Sequence, residues 1–141
     1  MSDTVEIATV AHVIQLAVAP VFLLTGIGAI LSVMSTRLAR VIDRHRVLAA
    51  MKGDERAAHA VEVRNLLSRS QWIHWAITLC TVCALLVCIV IAALFIGFEL
   101  GKDPSAVIAV LFSAAMLALI AGLLCFLREI AIATNVLSLN D

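Results

Sequence analysis

The sequence predicts an all-α integral membrane protein: three transmembrane helices, the first two extended into a cytoplasmic antiparallel helical hairpin. Three observations predict it. Of 141 residues, 63% are hydrophobic and 14% charged, with a mean hydropathy of +1.10; soluble domains run at about half and a quarter, and a single domain of this length cannot bury the excess. Three uncharged stretches, at about 13–36, 76–98 and 106–127, each reach the roughly 20 apolar residues that a spanning helix needs. The basic residues are clustered, eight of the ten lying between Arg37 and Arg69.

Each element follows in order. The chain opens with Asp3 and Glu6 and has no Lys or Arg before Arg37. A cleavable signal peptide starts positive, so the first span is expected to be retained. A lone segment in lipid must satisfy its backbone internally, which makes every span a helix. In the link 37–71, Leu38, Val41, Ile42, His45, Leu48 and Ala49 keep one-face helical spacing. After a break at Lys52-Gly53-Asp54, the pattern resumes through Ala60, Val63, Leu66, Leu67 and Ile73. This spacing predicts two antiparallel helices turning near Gly53, continuous with their spans and each about 60–65 Å long at 1.5 Å per residue. The link from Glu99 to Ser105 is short: Gly101 and Pro104 stop one helix, and Asp103 or Ser105 caps the next. Past Arg128-Glu129, the residues Ile130, Ala133 and Leu137 share one face, so the third helix is expected to continue and pack against the hairpin base.

Lys and Arg in short loops favour the cytoplasm. The hairpin and the C-terminus are therefore expected inside, the N-terminus and the Glu99–Ser105 link outside. Trp72 and Trp75 mark the headgroup level where the second span enters the membrane. Arg37 and Arg44 are placed for lipid-headgroup contact, each cation near an anionic surface gaining about 1 kcal/mol. Across the hairpin, Arg40 is a candidate partner for Glu62, and Asp43 for Arg64.

The first span carries two faces. Thr4, Ala8, Ala11, Gln15, Val18, Phe22, Thr25, Ala29, Ser32 and Thr36 alternate spacings of four and three, and Arg40 and Asp43 carry the line onward. That is a 3.5-residue period, the seam of a left-handed helix pair or ring. Small and hydroxyl residues suit close helix contact in membranes. Opposite it, Val13, Leu16, Leu23, Leu24, Ile27, Leu31, Met34 and Leu38 form an apolar face suited to lipid. The second span has its own small-residue ladder (Ala76, Cys80, Ala84, Cys88, Ala92) and the third has Ala114, Ala118 and Gly122; both read as packing faces. Pro20 removes the backbone bond to the Leu16 carbonyl and favours a kink.

No chemistry of a catalytic kind is legible. Cys80 and Cys83 form a CxxC within an apolar run and lack the four ligands of a zinc site, so they read as small packing residues. His45 and His59 are nearly symmetric about Lys52 but lack further ligands, and read as solvated helix surface. No ionisable group lies in the middle of a span, whereas coupled transporters and pumps keep such groups there. The expectation is no enzyme, no cofactor, no metal and no nucleic-acid partner.

The stretch from Ala19-Pro20-Val21-Phe22 to Arg40-Val41-Ile42-Asp43-Arg44, with 85–92 and Phe126–Thr134, resembles a bacterial family of small three-span membrane proteins, domain-of-unknown-function family 2721. The resemblance covers nearly the whole chain. It implies a three-helix membrane domain, and the bacterial cytoplasmic (inner) membrane as its location; it implies no activity and carries over no functional residues. Two function classes stay open. In one, a cyclic homo-oligomer brings Gln15, Val18, Phe22, Thr25, Ala29, Ser32, Thr36 and Arg40 around an ion-conducting axis, with Val18 and Phe22 at the constriction. In the other, a non-conducting scaffold or accessory subunit binds a partner through the hairpin.

Overall fold

The structure, a computed structural model, describes residues 1–138, with side chains through Asn135. Its helices are α1 (Ser2–Ala50), α2 (Asp54–Ala58), α3 (Ala60–Glu99) and α4 (Ser105–Ser138). Three of them, α1, α3 and α4, are long and apolar enough to cross a membrane. Only 17%, 22% and 11% of their most apolar stretches is buried inside the chain, so most of that surface is left for lipid or another chain. The 49 residues of α1 reach about 73 Å at 1.5 Å per residue. It exceeds the expected length because helix begins at Ser2 instead of near Val13.

The turns follow from local chemistry. Met51 leaves the helix with extended backbone, and Gly53 takes φ +62°, a conformation that glycine adopts without a Cβ clash. A second break comes at His59, which separates the five-residue α2 from α3. Its Nδ1 lies 2.8 Å from the Glu55 carbonyl; a carbonyl can only accept, so Nδ1 carries the proton. At the other end α3 closes in a Schellman motif. Gly101 (φ +60°) donates its N–H to Phe98 O at 3.2 Å, and Lys102 donates to Gly97 O at 3.2 Å. Of the two candidate caps it is Asp103 that serves, its Oδ1 accepting the Ser105 N–H at 3.0 Å.

α3 is the middle helix, packed against both α1 and α4. The buried residues of α1 are Val13, Ala17, Pro20, Ile27, Met34, Val41 and Leu48, and those of α3 include Leu66, Ile73, Ala76, Cys80, Cys83, Val87 and Val90. On α4 they are Ala115, Gly122 and Glu129. Each series keeps the 3.5-residue period of left-handed knobs-into-holes packing. Near mid-chain, Ile27 and Met34 of α1 share a core with Ala76, Cys80, Cys83 and Val87 of α3 and Ala115 of α4. A second core joins Val41 and Leu48 to Leu66 and Ile73.

The apolar face of α1 is thereby reassigned. Val13, Ile27 and Met34, expected against lipid, are buried, and Leu23, Leu24, Leu31 and Leu38 are half-buried; Leu16 alone of that set is exposed. The reason is fit. The α3 face is small at Ala76, Cys80 and Cys83 and leaves room for bulky side chains, so the large residues of α1 fill it and gain dispersion contacts. Gly122 lets α4 approach from the other side: a Cβ there would stand 2.9 Å from Cys80 Sγ and 3.2 Å from Ala76 O. Ala76, Cys80, Ala84, Ala118 and Gly122 of the two ladders are therefore packing contacts, while Cys88, Ala92 and Ala114 are exposed. Leu137 and 139 lie outside the described side chains.

Candidate functional site: the outward seam of α1 and the ionic junction

With one face of α1 committed to α3, the opposite seam points away from the chain. Gln15, Val18, Phe22, Thr25, Ala29, Ser32, Thr36 and Arg40 are all exposed, Phe22 at 73%. Two of its hydroxyls are already used within the helix. Thr25 Oγ1 donates to Val21 O at 3.3 Å, and Thr36 Oγ1 to Ser32 O at 3.0 Å. Their oxygens keep acceptor capacity. Arg40 turns off this line: with Val41 and Arg44 it walls a groove between α1 and α3. Asp43 continues the heptad phase of the seam in its place.

Toward the Gly53 end, three helices meet at one carboxylate. Glu129 is fully buried. Its Oε1 accepts Arg69 Nε at 3.0 Å and Nη2 at 2.9 Å, and its Oε2 lies 3.3 Å from Arg37 Nη1. The Arg37 contact is at ion-pair distance without hydrogen-bond geometry, so Oε2 has no hydrogen-bond partner among the described residues. Burying a carboxylate is tolerated only where it is paired, and two arginines do that here, their side chains 32% and 24% exposed. Aromatic rings back the cluster: Arg37 stands 5.4 Å over Phe126, and Arg128 5.8 Å over Trp72, both within cation–π range. Trp75 is exposed.

Sequence reasoning placed α4 against the base of the α1–α3 pair but missed Glu129 as the contact. The signal was present: Glu129 stands seven residues after Gly122, which stands seven after Ala115. Arg37 and Arg44, expected at lipid headgroups, both have protein partners. Arg44 Nε donates to Glu62 Oε1 at 2.7 Å; Glu62 thus pairs with Arg44, one turn beyond the expected Arg40. The bond from Arg44 holds the Glu62 carboxyl below the usual glutamate range, and the same bond raises Arg44. No ion pair joins Asp43 to Arg64 among the described residues. Nor does any group of three or more His, Cys, Asp or Glu side chains there suit a metal ion.

These features define a class: an all-helical protein with three helices able to cross a bilayer, joined at one end by a buried ionic junction. The chain belongs to the family described as protein of unknown function (DUF2721), whose model matches residues 17–139. No curated protein and no solved structure matches it.

Proposed function

We propose that the chain is a subunit of a cyclic homo-oligomer in the bacterial cytoplasmic membrane, with the α1 seam turned to the axis as an ion-conducting path. In this reading residues 37–71 are a cytoplasmic hairpin and the N-terminus is outside. The observation that supports it most is the exposure of Gln15, Phe22, Thr25, Ser32 and Thr36 on a helix whose other face is already packed. A glutamine amide facing hydrocarbon without a partner is unfavourable by several kcal/mol on alkane-transfer scales, and copies of α1 meeting at an axis remove that penalty. Closed cyclic symmetry is the common solution for such self-contact. Phe22 would then form an apolar constriction, of the kind that gates by dewetting.

The competing class is a non-conducting scaffold or accessory subunit that binds a partner through its hairpin. The self-satisfied hydroxyls of Thr25 and Thr36 favour it, since a helix with its donors already bonded packs without needing water. Neither reading requires catalysis. Purified protein in planar bilayers decides between them, with subunit number measured by native mass spectrometry. A pore predicts a multimer whose conductance rises on Phe22→Ala. A scaffold predicts a multimer with no conductance in either form. A monomer sinks the ring, and a cysteine introduced at Gly53 that is labelled from outside sealed cells sinks the orientation.

A further inference from the structure

The groove between the extended arms of α1 and α3 carries more positive charge than the chain itself balances. It measures about 640 Å³, and Arg40, Arg44 and Arg69 line it against one acid among the described residues, Glu62. That acid is engaged, bonded to Arg44 at 2.7 Å. Arg69 turns to Glu129, but Glu129 also serves Arg37. With Arg69 committed to Glu129, Arg40 and Arg44 face the single carboxylate of Glu62 in the groove, a surplus of one positive charge. Arg40 has no carboxylate within ion-pair distance among the described residues. Asn65 adds amide donors to the wall, and the buried Val41 and Leu66 give it an apolar floor.

We infer that this groove binds a phosphate-bearing anion, held by Arg40 and Arg44 with Asn65 beside them. A guanidinium fork matches phosphate oxygens in pairs, and two such forks with an amide beside them offer more donors than a single carboxylate can accept from. Arg69, which lines the groove, is three residues from Trp72, a side chain expected at the headgroup level, so two sources can supply the group: an acidic phospholipid headgroup or a soluble phosphate. The inference stands on the groove alone and does not depend on whether α1 lines an axis.

The test uses the full chain and Arg40→Gln, which removes the unpartnered guanidinium without breaking an ion pair. Arg64→Gln, on exposed α3 surface outside the groove, makes the same change of charge and serves as control. Inorganic phosphate is titrated calorimetrically into protein in phosphatidylcholine nanodiscs. In parallel, lipid retained from discs containing phosphatidylglycerol is counted by native mass spectrometry. One of the two probes is expected to bind at one per chain and to weaken about tenfold in Arg40→Gln, the loss of one charge-assisted hydrogen bond, while Arg64→Gln is unchanged. Phosphate binding without acidic lipid assigns a soluble ligand; selective retention of phosphatidylglycerol assigns the headgroup. Equal weakening by both substitutions, or no binding of either probe, overturns the inference.

Discussion

At the scale of single residues, Glu129 is the side chain whose loss matters most. It is buried among three helices and is the shared partner of Arg37 and Arg69. Hydrogen bonds to charged groups contribute about 1.5–3 kcal/mol, and removing one member of a buried pair adds the penalty of the charges left behind. Both arginines keep some access to water, which moderates that penalty. Glu129→Gln preserves the volume and removes the charge. It should lower the unfolding free energy in detergent by about 2 kcal/mol, with Arg69→Met adding little further once Glu129 is gone. Additive losses from the two substitutions would mean that the pair does not act as a unit. The Arg44–Glu62 pair, by contrast, sits in solvent and belongs to the class of surface bridges that contribute little.

At the scale of elements, close approach is governed by Gly122. An added Cβ would press on Cys80 Sγ and the Ala76 carbonyl, the latter being backbone that cannot swing aside. Gly122→Ala should therefore destabilise by about 1–3 kcal/mol, the usual range for overpacking. Gly28→Ala, where a Cβ meets nothing within 4 Å, should be neutral or slightly stabilising, since alanine is the better helix former. A thermal shift assay compares the two, and equal melting points would contradict the packing described. The three long helices and their turns were legible, since uncharged apolar stretches, a Gly53 break and a Gly101–Pro104 stop read directly as such; the second break at His59 and the start of α1 at Ser2 were not. Which face of α1 turned inward was not either. Both of its faces carry a 3.5-residue period, and only the shape of the partner decides between them. The small side chains of Ala76, Cys80 and Cys83 accept Ile27 and Met34 where they would leave voids against Ala29 and Ser32. Glu129 was hidden for a related reason, since a charge next to Arg128 at a span's end reads as solvated until a third helix covers it.

At the scale of the whole molecule, the polar ties between helices are unevenly placed. Among the described residues, the side-chain bonds and ion pairs joining α1, α3 and α4 fall at Arg37, Arg44, Glu62, Arg69 and Glu129, all toward the Gly53 end. Toward the Ser2 end α1 is held by Val13, Ala17 and Pro20 through apolar contact alone. Residues 1–12 are exposed throughout. Spin-label distances across 10 and 102 should accordingly be broader than those across 46 and 64; equal widths would show that apolar packing fixes the far end as firmly. The asymmetry leaves the first turns of α1 as a short lever with its fulcrum at Val13. About 17 Å of helix separates that residue from Ser2, so a bend of about 10° would sweep the end of α1 through roughly 3 Å without disturbing the packed series behind it.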